Sequence, residues 1–315
     1  YDSFKLASPS GKGIIKVLSN NVQELADRTF QQPNYKKGQD WFDNYHTYED
    51  IKKWYINHSK KDPSHVKFVA SIGKTDQSND IFAVHLTNNN TLPYGRSKSK
   101  IWFQSLIHAR EWLGGSTTHN SDGYKYTQIE RYWRKNRKSP HGVDINRNFP
   151  YKWGGPGASE DPYEIDYRGP SAGSELETKA ITSYFKEQGH IAGAIDFHTF
   201  SELVLRPPGD KGDTPDEAKL KKLGDEIRDV IVKSRGTLYT SQKSYELYST
   251  SGTAMDWFYG EGNTYGYTIE LSPKYGGEEG FSPPPIFIKP VGAELYPAAV
   301  HFINQKGKLL PFKPI

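Results

Sequence analysis

The chain has no cysteine and a single methionine, and its charges nearly cancel. Lack of cysteine excludes disulfides, thiolate metal sites and a cysteine nucleophile. It leaves the compartment open, because large secreted domains can do without bridges. Mean hydropathy of −0.78 and the absence of any long apolar run exclude a membrane-spanning helix. Lys+Arg 41 against Asp+Glu 37, interspersed, argue against nucleic acid or an anionic membrane as partner. Internal repeats and low-complexity tracts are also missing. The chain opens on Tyr1 without a signal peptide, which points to a processed chain or a fragment. Aromatics, by contrast, reach 14%, and 315 residues can bury a sizeable core as one large domain or one domain plus a small appendage.

The apolar patterning alternates between strand and helix. HTYEDIKKWY reads as a helix capped by Thr47, with Ile51, Trp54 and Tyr55 on one face. VKFVASI and DIFAVHL, joined by the turn-rich GKTDQSN, predict an antiparallel pair. IWFQSLI predicts a buried strand ending at His108. Residues 125–167 are rich in Gly, Pro, Arg, Asn and Trp without periodicity, as functional loops often are. SELETKAITSYFKEQGH predicts a helix with Ser174 and Glu177 as a capping box and Gly189 as its stop. The strand IAGAIDF delivers His198, and TPDEAKLKKLGDEIRDVIVKSRG predicts a helix from Pro215 to Gly236. GTAMDWFYG is a short helix, YGYTIEL a strand, and VGAELYPAAVHFINQ a last helix interrupted at Pro297. Strands alternating with helices define an α/β fold with helices on both sides of a central sheet.

In such sheets, sites gather at the carboxyl ends of strands. His108 follows one predicted strand, His198 another, and Glu270 lies near the end of a third. SLIHAREWLGG places His108 and Glu111 three apart, and with His198 they make the two-imidazole, one-carboxylate set common for catalytic zinc. H-x-x-E alone is a weak signal, and a His–Glu pair on a surface turn is the commoner explanation. VDINRNFP and ERYWRKNR add arginines and asparagines suited to bidentate recognition of a carboxylate. Taken alone, that stretch reads as an exposed basic loop.

The motifs SLIHAREW, ERYWRKNR, GVDINRN, GSELET, AIDFHTFSE, ELYSTSGTAMDW and YGYTIEL, in this order, resemble the zinc metallocarboxypeptidases of the pancreatic carboxypeptidase A/B family. Weaker similarity runs from about Trp41 to Asn304. The resemblance implies a central twisted mixed β-sheet with helices on both faces, and a secreted zinc hydrolase made as a zymogen. It implies one Zn2+ held by His108, Glu111 and His198, with Asp144 orienting the first histidine. Glu270 matches the general base and Arg134 the arginine that stabilises the oxyanion. Asn146 and Arg147 match the clamp on the substrate's terminal carboxylate, Tyr248 the mobile tyrosine over the substrate, and Arg110 a residue binding more remote parts of the peptide. Met255 matches the base of the specificity pocket, where a thioether favours apolar or aromatic C-terminal residues. Lys243 falls near the wall of that pocket and leaves an acidic preference as the competing expectation.

Two departures stand out. After HAREW the chain has only LGGSTTHNS, where the family has a further helix and a central strand, so one strand and one helix are missing. Residues 1–38 resemble a shortened pro-region, Lys36-Lys37 offers a cut site for a trypsin-like protease, and 39–306 form the catalytic domain before a tail at 307–315. The predicted partners are peptides or proteins with a free C-terminal carboxylate. The alternatives are an impaired relative that binds peptide C-termini without turnover, and a zinc amidase or deacylase on the same fold.

Overall fold

The structure is a computed structural model and describes residues 40–87, 98–115, 119–276 and 280–307. Three parallel strands carry the site, and the second and third of them in sheet order are buried on both faces along most of their length. These are β3 (Lys100–Ser105), β4 (Ile191–Thr199) and β7 (Tyr265–Leu271). Two four-residue strands, β5 (Leu203–Arg206) and β6 (Thr240–Lys243), extend the sheet in the order β3-β4-β7-β5-β6. β5 runs antiparallel to β7, so the sheet is mixed, as expected.

Alternation along β3, β4 and β7 sends odd-numbered side chains to one face and even-numbered ones to the other. Ile195, Tyr267 and Ile269 pack with Leu220, Leu223 and Ile227 of α4 (Glu217–Arg235) and with Phe302 of α6 (Ile288–Gly307). On the opposite face Ala194 and Trp102 pack with Ile181 and Phe185 of α3 (Leu176–Glu187) and with Trp257 and Phe258 of α5 (Ala254–Gly260). α4 stops at Gly236, whose φ of 80° is the left-handed conformation that a helix end needs. α6 continues through Pro297, contrary to the predicted interruption. Its Val291, Ala298 and Phe302 are buried on either side of the proline, and that packing holds both halves in line.

The predicted capping box on α3 does not form. Ser174 donates its hydroxyl to Glu175 Oε1 at 2.7 Å, and Glu177 turns inward to accept from Asn136 Nδ2 at 3.2 Å. Thr47, by contrast, caps α1 (Tyr48–Lys61) by accepting from Asp50 N–H at 3.2 Å.

β1 (Val66–Lys74) and β2 (Asp80–Leu86) pair antiparallel, as predicted, but form a separate two-stranded sheet. The hairpin is anchored instead by side chains. Gly73 passes so close to α3 that a Cβ there would lie 2.4 Å from Ala180 Cβ. Asp122, in α2 (Ser121–Tyr126), accepts from Thr75 Oγ1 at 2.7 Å, Asn79 Nδ2 at 2.6 Å and Gln77 N–H at 3.0 Å. His85 Nε2 meets the Tyr184 hydroxyl at 2.7 Å. The predicted pro-region with Lys36-Lys37, and the tail beyond residue 307, lie outside the described residues.

Candidate active site

Past the end of β3 the chain turns sharply at Leu106, a buried residue with φ of 56°. A left-handed leucine is unfavourable on its own and persists because its surroundings fix it. The turn sets His108 and Glu111 at the carboxyl end of the sheet, where β4 brings His198. The three side chains are buried, and one donor atom from each lies within 4.8 Å of the others. His108 Nδ1 is 2.7 Å from Glu111 Oε1, His198 Nδ1 is 2.9 Å from Glu111 Oε2, and the two Nδ1 atoms are 3.1 Å apart. A tetrahedral ion with bonds of about 2.0–2.2 Å places its ligands roughly 3.3 Å apart, so this set fits zinc with a small outward adjustment.

The imidazole nitrogens facing away are also held. His108 Nε2 lies 3.2 Å from Asp144 Oδ1, and His198 Nε2 lies 2.9 Å from Asp196 Oδ2. Asp144 is fully buried and does three things at once. It faces His108, accepts from Arg134 Nε and Nη2 at 2.9 and 2.8 Å, and accepts from Asn146 N–H at 2.9 Å to start a short helical turn over Ile145–Arg147. Burial alone would raise the pKa of this carboxyl; Arg134 and His108 outweigh burial and hold it well below the usual range. Glu111 is likewise held low, burial being overcome by His108 and His198. Glu270 goes the other way. Burial pushes its carboxyl up to about 8, opposed by His198 and reinforced by Glu111.

The residues predicted for the substrate surround this centre. A cavity of about 200 Å³ is lined by His108, Glu111, His198, Glu270, Arg134, Arg110, Asn146, Arg147, Tyr248 and Met255 together. Asn146 Oδ1 accepts from Ala254 N–H at 2.9 Å, tying the Ile145–Arg147 turn to the start of α5. Arg147 Nε donates to Gly157 O at 2.7 Å and Nη1 to Asn146 O at 2.8 Å. Gly252, with φ of 65°, lets the next segment lie against that turn, since a Cβ there would sit 2.3 Å from Arg147 O. Tyr248, half exposed, stands at the cavity mouth.

Met255 is buried with Leu203 and Leu205, and with Leu205 it gives the cavity an apolar floor. Lys243 does not line the cavity; its ammonium pairs with Asp213 and lies 3.9 Å from Glu217. The neighbouring acid Asp256 also turns away, accepting from Gly209 N–H at 3.1 Å with both oxygens. Sequence reasoning missed Asp196, although its place two residues before His198 on a strand puts both on one face. It also missed Leu205, whose four-residue strand is too short to show a period.

Comparison with known proteins agrees with this geometry. The family model for zinc carboxypeptidases, Peptidase_M14, matches residues 51–119 and 116–298, and the chain belongs to that family. It is 28% identical to zinc carboxypeptidase A 1 of Anopheles gambiae over 333 aligned positions, covering 93% of this chain and 75% of that protein. It is 31% identical to a metallocarboxypeptidase A-like protein of Trichophyton verrucosum, covering 81% and 69%. The crystal structure of thrombin activatable fibrinolysis inhibitor superposes with a TM-score of 0.84 at 26% identity, covering 94% of this chain and 83% of that one. The chain is therefore a metallocarboxypeptidase, a hydrolase that uses one zinc, and His108, Glu111 and His198 form the candidate zinc site. The family match falls into two stretches that overlap at residues 116–119, just after HAREW, where the sequence is shorter than the family pattern.

Proposed function

We propose that this enzyme removes single C-terminal residues with apolar or aromatic side chains. The observation carrying the proposal is that three ligand atoms, Glu270, two carboxylate-binding side chains and an apolar floor share one cavity.

When bound, zinc supplies a Lewis acid that activates water and polarises a carbonyl. Glu270 accepts the proton of the attacking water and passes it to the nitrogen as the C–N bond breaks, so water's atoms end as a new carboxylate and a free amine. Arg134 has two donors committed to Asp144, leaving Nη1 for the carbonyl oxygen as it gains negative charge. Asn146 and Arg147 bond elsewhere through Oδ1, Nε and Nη1, which leaves Asn146 Nδ2 and Arg147 Nη2 for the terminal carboxylate. Tyr248 at the mouth supplies a hydroxyl to cover the bound end. A free carboxylate at that clamp restricts cleavage to the last peptide bond.

Met255, Leu205 and the outward-turned Lys243 and Asp256 support the apolar preference over an acidic or basic one. Incubation with blocked dipeptides ending in Phe, Leu, Lys or Glu tests this. Release of Phe and Leu is expected. Release of Glu alone overturns the pocket reading, zinc uptake without turnover supports the non-catalytic alternative, and turnover of amidated ends favours an amidase. Secretion as a precursor activated by a cut at Lys36-Lys37 belongs to the same proposal. N-terminal sequencing of protein from culture medium, before and after trypsin, tests it.

A further inference from the structure

We infer that Asp196 is a positioning residue for His198, the counterpart on the second imidazole of Asp144 on the first. The inference rests on the reading of His108, Glu111 and His198 as zinc ligands.

The geometry comes first. Asp196 and His198 lie two residues apart on β4 and project from the same face of the sheet. Asp196 Oδ2 is 2.9 Å from His198 Nε2, while His198 Nδ1 faces Glu111 Oε2 at 2.9 Å and His108 Nδ1 at 3.1 Å. An imidazole that donates its Nε2–H to a carboxylate keeps a bare lone pair on Nδ1, the tautomer a metal ligand needs. His108 repeats the arrangement, with Nε2 toward Asp144 and Nδ1 toward Glu111. Both rings are thus clamped with the same nitrogen facing the centre.

Charge supplies a second argument. Asp196 is fully buried, and its ion-pair partner among the described residues is His198. Arg134 neutralises Asp144. A divalent cation held by Glu111 and two neutral imidazoles would keep one net positive charge; Asp196 and Glu270 both stand beside His198, and of these two Asp196 is the one bonded to the imidazole. A third observation separates this from packing. Asp196 Oδ1 accepts no hydrogen bond, and its register partner Gln104 on β3 has an unpartnered Nε2. A carboxylate left half satisfied in a core does little for the fold by itself. Its bonded oxygen serves His198.

The test uses the full chain, Asp196→Asn and Asp196→Glu, with zinc alone as probe. Zinc affinity is measured by chelator competition, and melting temperature is recorded with and without zinc. Asp196→Asn should bind zinc 10–100-fold more weakly, the usual cost of losing such a partner. The stability loss should concentrate in the zinc-loaded form, with Asp196→Glu partly restoring affinity. Unchanged zinc affinity in Asp196→Asn, or equal stability loss with and without zinc, overturns the inference. Failure of both variants to fold also overturns it, because Asp196 would then hold the fold and not the ligand. Failure of the unmodified chain to bind zinc removes the ligand assignment itself, a distinct result.

Discussion

His198 and Glu270 are register partners on the adjacent parallel strands β4 and β7. Neighbouring strands are held about 4.8 Å apart by their hydrogen-bond ladder. The ladder therefore fixes the distance between a zinc ligand and the carboxylate proposed as base, and both side chains project from the same face. No loop has to close to bring these two groups together.

Glu270→Gln removes the proton acceptor but keeps the shape. Turnover of a peptide ending in Phe should fall by about 10²–10⁴-fold, the usual contribution of a positioned general base. Zinc content by elemental analysis should stay at one per chain. Parallel loss of zinc and activity would instead assign Glu270 to the metal.

Asp144→Asn weakens three bonds together, to His108, to Arg134 and to the turn that carries Asn146 and Arg147. It also leaves the largely buried Arg134 guanidinium without its anion. Breaking such a pair costs roughly 3–5 kcal/mol. Urea denaturation should show a loss of that order, and zinc should dissociate faster into a chelator.

Much of the site was legible because its residues sit at the ends of apolar runs. IWFQS shortly before His108 and AIDF before His198 are strands that bring those imidazoles to the carboxyl end of the sheet. The short strands were not legible. Thr240–Lys243 reads TSQK, which carries no apolar alternation and pairs only because β5 lies beside it. The capping box failed because Glu177 had a buried partner in Asn136, a tertiary contact that local spacing does not reveal. The loss of a strand was visible as a missing stretch after HAREW. The placing of the hairpin, seated on α3 at Gly73 and tied to α2 by Asp122, depended on contacts from three separate segments.

That seat can be tested directly. In Gly73→Ala the new methyl would overlap Ala180 Cβ at 2.4 Å, and neither group has a rotamer with which to escape. Overpacking of this kind costs about 1–3 kcal/mol. Thermal unfolding should show the loss, and hydrogen exchange should place it in β1, β2 and α3 first. An unchanged melting temperature would mean that the hairpin does not rest on α3 in solution.

Met255→Asp places a carboxylate beside Leu203 and Leu205 on the cavity floor. Release of C-terminal Phe should drop at least tenfold, with Lys and Arg gaining in relative kcat/KM. If Phe remains preferred with unchanged kcat/KM, the floor of the pocket lies elsewhere.

Glu177 makes a contribution to the pH dependence of stability whose sign follows from its burial. Its side chain is buried, Oε1 has no hydrogen-bond partner, and Oε2 shares Asn136 Nδ2 with the buried Glu175. Burial therefore raises its pKa from 4.5 to about 7. Between those two values the folded chain holds a proton that the unfolded chain has released. Stability from this group is thus fully present below pH 4.5 and is lost as pH rises through about 7. Asp256, raised by burial from 3.8 to about 6, contributes in the same direction over a lower window. Glu177→Gln fixes the neutral form. Its unfolding free energy should match that of the unmodified chain near pH 4 and exceed it by a few kcal/mol at pH 8, with a flatter slope between. Equal stability loss at both pH values would show that the carboxylate is charged and paired at neutral pH, and the buried proton would have to be given up.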